Sequence, residues 1–155
     1  HMRSLDDLMS HVQLVEQPCT NDAPHEGPPC VGVPAGTPIP SFFIFAREFD
    51  GYYTDESQIR TVIERMTGGV AAWTIHAVMR ATPGDTRSDG YVVAHRWASG
   101  NFGLVWYLSP SGTIVGVTEG DLSYFGVRPR PGVEYLYCDH RLQPDCDEER
   151  SLGIK

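Results

Sequence analysis

A histidine within an apolar run is the residue of this chain best suited to acid–base chemistry. Tyr91, Val93 and Trp97 lie at alternate positions around His95, so in a strand all four would share one face. A histidine buried on such a face loses its charge and requires a hydrogen-bond partner, which could make it a general base with a pKa near neutrality. The competing interpretation is a structural histidine whose hydrogen bonds are satisfied inside a core.

Three carboxylates are candidate partners of this histidine. Asp50 is the first choice, and Glu48 and Asp121 are the alternatives. Asp50 precedes Gly51, which is also typical of an ordinary turn. The sequence contains no nucleophile elbow, P-loop, zinc-protease or dinucleotide motif, so it identifies no nucleophile and we expect no cofactor.

Four cysteines form two close pairs in the sequence, Cys19 with Cys30 and Cys138 with Cys146. Local pairs in an acidic chain favour two disulfides in a secreted or envelope protein. A zinc site drawn from both ends is an alternative, although the short two-residue spacing of zinc knuckles and ribbons is missing, and we expect no metal. A single disulfide between the two ends also remains open.

Composition limits the classes of partner. The chain has 155 residues, 41% of them hydrophobic, which fits one domain over 1–155 with a substantial core. A net charge of −8 argues against nucleic acid, because binding phosphates requires clustered Lys and Arg. No run approaches the ~20 apolar residues of a membrane span. Residues 1–3 are expected to be a tail that begins with a cloning scar, so a signal peptide would not be visible.

The first half of the chain predicts two helices around a loop and a hairpin. Apolar spacing predicts a helix over 4–15, and the Pro/Gly-rich segment 17–40 predicts a loop held by Cys19 and Cys30. Residues 41–53 predict two strands with a turn at Asp50-Gly51. A second helix should then begin at Thr54 or Asp55 and end at Gly68-Gly69.

The second half predicts an antiparallel meander. Strands are expected at 71–81, 90–98, 102–109 and 112–118, because these runs are rich in β-branched and aromatic residues and are separated by turn residues. Residues 119–155 are expected to be an irregular tail, with an additional short strand at 134–138. The fold class is therefore α+β, with a curved antiparallel sheet of five or six strands and helices on one face.

This order of elements, over residues 4–120, resembles the nuclear transport factor 2-like (cystatin-like, SnoaL-like) superfamily. The segments 18–20, 29–30 and 33–38 also look like cysteine-bearing secreted bacterial domains of that superfamily without an assigned function. The resemblance implies a cone-shaped fold with a pocket between sheet and helices.

Alternation along three strands predicts an aromatic wall. It is expected either to fill the core or to line a ligand cavity, with Trp73, Tyr91, His95, Trp97 and Trp106 as ligand-binding residues. The complete wall comprises Trp73, Ile75, Ala77, Met79, Tyr91, Val93, His95, Trp97, Phe102, Leu104, Trp106 and Leu108.

These observations favour a secreted, non-catalytic domain that binds a small apolar molecule or a partner. The first alternative is a cofactor-free isomerase, cyclase or hydrolase that uses His95 with a carboxylate such as Asp50. The second is a structural domain that forms a homodimer through its sheet, with His76 and Arg80 near the contact.

Overall fold

A computed structural model describes residues 5–22, 27–46, 49–68, 73–81, 89–97, 102–121 and 134–138. Six of these residues are described by their backbone alone: Trp73, Thr74, His76, Trp97, Asp121 and Cys138. The elements in chain order are α1 (Leu5–Met9), β1 (Val15–Pro18), β2 (Pro38–Phe45), β3 (Asp50–Tyr53), α2 (Glu56–Thr67), β4 (Trp73–Arg80), β5 (Tyr91–Trp97), β6 (Phe102–Leu108), β7 (Ile114–Asp121) and β8 (Tyr135–Cys138).

Within the described residues, eight strands form one open, curved sheet in the order β1-β2-β7-β6-β5-β4-β8, with β3 paired to β2. The α+β class is confirmed, but the expected count of five or six strands is wrong. The four strands β4 to β7 form the predicted antiparallel meander. The sheet as a whole is mixed, because β2 and β7 run parallel. Neither described helix is long and apolar enough to cross a membrane.

The first helix is shorter than its apolar spacing predicts. It ends at Met9, and the following chain pairs with the start of β7. Gln13 N donates to Ile114 O at 2.8 Å, and Ile114 N donates to His11 O at 2.7 Å. Val15 then begins β1, which pairs antiparallel with the first half of β2. The apolar residues after Met9 are therefore compatible with either a helix or a strand. They form a strand here because β2 and β7 offer backbone hydrogen-bond partners.

The second helix begins and ends where its capping residues predict. Asp55 Oδ1 accepts hydrogen bonds from Ser57 N at 2.8 Å and Gln58 N at 3.1 Å. Gly68 adopts the left-handed conformation, with φ of 55°, and its N donates to Glu64 O at 3.0 Å. The buried side of α2 consists of Ile59, Val62, Ile63 and Met66.

Two apolar clusters lie on the two sides of the sheet. Both described helices pack on the side that we call the helix-side face, whose buried strand residues are Phe42, Ile44, Leu104, Trp106, Ile114 and Val117. The opposite side, the far face, carries Ala77, Met79, Val92, Ala94, Val105, Tyr107 and Val115.

A β-bulge in β4 changes the composition of the predicted wall. Ile75 pairs with His95, but the next pair is Ala77 with Ala94, so the ladder skips His76. Ala77 and Met79 consequently lie on the far face rather than beside Ile75, and their inclusion in one wall was wrong. Strict alternation predicts the wrong face for these residues, because the extra residue moves every following side chain to the opposite side of the sheet.

The proline-rich segment is shorter than 17–40, because its two ends extend the β1–β2 ladder. Cys19 N donates to Thr37 O at 2.9 Å, and Gly36 N donates to Cys19 O at 2.8 Å. The Cys19–Cys30 disulfide is present, with the Cα atoms 5.0 Å apart, and Cys19 is 3% exposed. The predicted Cys19–Cys30 disulfide is thus confirmed. The second predicted pair, Cys138 with Cys146, lies outside the described residues, since Cys146 is not among them.

Removing this disulfide should lower the free energy of unfolding by about 2–3 kcal/mol, because it releases a short closed loop in the unfolded chain. Urea denaturation of Cys19→Ala/Cys30→Ala against the parent chain measures the loss. Val31→Ala, a change at a neighbouring residue that is 80% exposed, should cost less than about 0.5 kcal/mol. Equal stability of the double variant and the parent would show that the loop is held by its hydrogen bonds alone.

Candidate functional site

Four residues form a row across the helix-side face. Glu119 of β7 pairs with Leu104 of β6, Leu104 pairs with His95 of β5, and His95 pairs with Ile75 of β4. Direct partners in antiparallel strands project to the same side, so all four belong to one face. We call them the His95 row.

Beyond this row the strands reach their ends. Phe102, the first residue of β6, pairs with Asp121, the last of β7. Trp73 and Trp97 pair at the corresponding ends of β4 and β5. The predicted residues Trp73 and Trp97 are thus adjacent to the His95 row in register, and their side chains lie outside the description.

The helix-side face is core at its centre and exposed at this end. Leu104 is fully buried and Trp106 is 2% exposed, so Trp106 fills the interior. Ile75 is 43% exposed and Phe102 is 37% exposed, whereas His95, on the strand between them, is partly buried. Apolar surface therefore remains accessible around the histidine. We call Ile75, His95 and Phe102 the open apolar end.

The backbones of β5 and β6 pack closely beside these exposed side chains. Gly103 lies opposite Arg96, and a Cβ atom added to Gly103 would lie 1.9 Å from the carbonyl oxygen of His95. Glycine is required where strands approach this closely. The backbone of His95 is thereby held against β6.

His95 is an uncharged imidazole at neutral pH. Burial lowers the pKa of His95 from 6.5 to about 4. This value lies below the near-neutral pKa that the sequence suggests for a general base. At pH 7 the ring can donate and accept hydrogen bonds, but it brings no positive charge to the site.

The structure does not bring Asp50 to His95. Asp50 pairs with Phe45, whose other partner is Thr118, so Asp50 belongs to the far face. Asp50 does act on Tyr53: burial first, and then the charge of Asp50, raise the pKa of Tyr53 above 10.0. Of the alternatives, Glu48 lies outside the described residues, and Asp121 is described by its backbone alone.

Glu119 is the carboxylate that the sequence reasoning missed. It lies on the face of His95, and two strand spacings put their Cα atoms about 10 Å apart. Alternation from Val117, a fully buried residue of the same strand, could have placed it there. The sequence predicts that the last strand of the meander ends at residue 118, which places Glu119 in the tail, whereas β7 continues to Asp121.

Tyr91, another predicted ligand-binding residue, lies elsewhere on the sheet. It lies four positions from His95 along β5, which corresponds to about 13 Å. The Arg80 guanidinium lies over its ring, 5.6 Å from the centroid, and Arg80 Nε donates to Glu134 Oε2 at 2.7 Å. Arg80 is therefore engaged within its own chain, and whether it lies near a dimer contact stays a prediction.

The described residues contain no group of three or more His, Cys, Asp or Glu side chains that could hold a metal ion. Comparison with known proteins adds no further assignment, since no family model, curated protein or solved structure matches this chain. The geometry of the open apolar end is thus the basis for a functional proposal.

The lowered pKa of His95 predicts a loss of stability in mild acid. The unfolded chain binds a proton at a pKa near 6.5 and the folded chain at about 4. The contribution of His95 to stability is complete above pH 6.5 and falls as the pH decreases towards 4, by at most about 3 kcal/mol.

Urea denaturation between pH 7 and pH 4 measures this loss. His95→Gln should flatten that part of the profile, whereas His11→Gln, at an exposed histidine, should leave it unchanged. An NMR titration of the His95 ring with a midpoint near 6.5 would contradict the burial argument.

Proposed function

We propose that this domain binds a small apolar molecule at its open apolar end. The observation that carries the proposal is the partial exposure of Ile75 and Phe102 on either side of a partly buried histidine. Binding sites for small molecules commonly combine apolar walls with a few convergent polar groups. The three residues supply that combination.

Binding is better supported than catalysis. A His–carboxylate pair acts in proton transfer when its members lie within hydrogen-bond reach of a common substrate. Asp50 belongs to the opposite face from His95, and Glu119 is two strands away with Leu104 between them. A neutral histidine with a pKa near 4 is also a weak base at neutral pH.

We also propose a secreted or envelope location. The Cys19–Cys30 disulfide supports it, because such bonds persist in oxidising compartments. Membership in the nuclear transport factor 2-like superfamily stays a prediction, supported by the curved sheet with both helices on one side.

Fluorescence titration with Nile red, a neutral apolar dye, tests the site. Phe102→Ser should weaken dye binding about tenfold, because contact with a phenyl ring contributes on the order of 1–2 kcal/mol. Phe45→Ser is the matched control: Phe45 is 42% exposed, close to the 37% of Phe102, but belongs to the far face.

The two variants make the outcomes distinct. Unchanged binding in Phe45→Ser with weakened binding in Phe102→Ser supports the proposed site. The reverse pattern would transfer the site to the far face. Absence of dye binding by the parent chain would refute the proposed function.

A further inference from the structure

The connection from β1 to β2 contains an exposed and uncharged loop. All six residues of 31–36, which we call the pinned loop, are exposed, and Val31 is 80% exposed. Their sequence is Val-Gly-Val-Pro-Ala-Gly, and no charged residue occurs between positions 27 and 46. A Cβ atom added to Gly32 or Gly36 would meet no atom within 4 Å apart from its chain neighbours. The pinned loop therefore projects from the surface and presents small apolar side chains.

Both ends of the pinned loop are attached to one buried residue. Cys19, which is 3% exposed, holds the start of the loop through its disulfide with Cys30. At the other end, Gly36 N donates to Cys19 O at 2.8 Å, and Cys19 N donates to Thr37 O at 2.9 Å. Thr37 Oγ1 also donates to Pro34 O at 2.7 Å. A loop held in this way loses little conformational entropy on binding, so its apolar side chains can contribute to affinity.

The backbone turns immediately after the most exposed side chain of the loop. Gly32, which follows Val31, has φ of 71°, a left-handed conformation that glycine adopts without strain. Hydrolysis of a peptide requires the scissile bond in a defined attack geometry, which an extended substrate adopts and a turned loop with fixed ends does not. The bond after Val33 is protected as well, because Pro34 has a fixed φ and no N–H group.

We propose that the pinned loop is an inhibitory docking loop for a serine peptidase with a small apolar specificity pocket, and that Val31 is the side chain that enters the pocket. Serine peptidases select their substrates by such a pocket, which is acidic in trypsin, a long apolar slot in chymotrypsin and small in elastase. The loop offers only valine, proline and alanine side chains, which match the small pocket. A disulfide-bonded protein in an oxidising compartment would meet secreted peptidases.

The pinned loop is separate from the open apolar end. It connects β1 to β2, whereas Ile75, His95 and Phe102 belong to β4, β5 and β6. Absence of peptidase inhibition would therefore leave the proposed small-molecule site untouched, and absence of Nile red binding would leave the docking loop untouched.

Inhibition of three peptidases tests the specificity of the loop. The full chain is titrated into elastase, chymotrypsin and trypsin, and hydrolysis of a chromogenic peptide substrate of each enzyme is measured. Elastase should be inhibited competitively, with an inhibition constant at least about tenfold lower than that for either of the other two enzymes. Equal inhibition constants for the three enzymes, or no inhibition of elastase, would overturn the proposal.

A substitution in the loop should redirect the inhibition. Val31→Arg should weaken inhibition of elastase at least about tenfold and create inhibition of trypsin, because the acidic pocket of trypsin takes an arginine side chain. Val33→Arg is the matched control, since it introduces the same side chain into the same loop at another exposed valine, and it should not inhibit trypsin. Inhibition of trypsin by Val33→Arg and not by Val31→Arg would refute the assigned role of Val31.

The disulfide should distinguish an inhibitor from a substrate. Mass spectrometry after incubation with elastase should show the parent chain intact at the Val31–Gly32 bond. Cys19→Ala/Cys30→Ala should be cleaved there and should lose inhibition, because the released loop can adopt an extended conformation. Cleavage of the parent chain at this bond as rapidly as the double variant would identify an ordinary substrate loop and overturn the inhibitory role. The parent chain and Val31→Arg decide the proposal if the double variant does not fold.

Discussion

The parallel contact between β2 and β7 is the pairing on which the rest of the fold depends. It joins the N-terminal half of the chain to the antiparallel meander through three residue pairs, Phe43 with Gly116, Ile44 with Val117 and Phe45 with Thr118. Alternation along β2 then divides its aromatic residues between the two faces. Phe42 and Ile44 are fully buried under the helices, whereas Phe43 packs against Tyr52 on the other side, with ring centroids 5.2 Å apart.

This division between the two faces also separates the polar candidate residues Asp50 and His95. Because β3 pairs with the end of β2, Asp50 takes the face of Phe45, and the helix-side face retains Tyr53. The bulge at His76 likewise divides the residues of β4 between the two faces. Ile75 lies on the face of His95, whereas Met79 lies on the far face. A one-residue change in register thus determines which residues a ligand at His95 could touch.

Local signals in the sequence predicted the elements that depend on local interactions. Asp55 and Gly68 defined α2, and the turn residues defined the meander, because caps and turns depend on nearest neighbours in the chain. The Cys19–Cys30 pin followed from composition, since a proline-rich loop has few backbone donors with which to hold itself.

Strand pairings between segments that are far apart in the chain could not be predicted from the sequence. Val15 joined a strand because β2 offers it a partner, and the parallel β2–β7 contact connects segments about seventy residues apart. The bulge at His76 has no signature comparable to a glycine or proline. Residue type and an adjacent turn therefore predict Asp50 as the partner of His95, whereas the strand register is needed to place Glu119 on the same face as His95.

The separation of His95 from Glu119 within the His95 row is the reason that we propose binding rather than catalysis at this end of the sheet. A histidine adjacent to an ionised carboxylate normally has its pKa raised, because the negative charge favours the protonated ring. At His95 burial dominates instead, and Leu104 stands between the ring and Glu119 in the row. His95 and Glu119 are consequently separate polar positions in the row, with the fully buried Leu104 between them. Polar groups that are set apart on an apolar surface are more typical of a binding site than of a proton-transfer pair, which requires both groups within reach of one substrate.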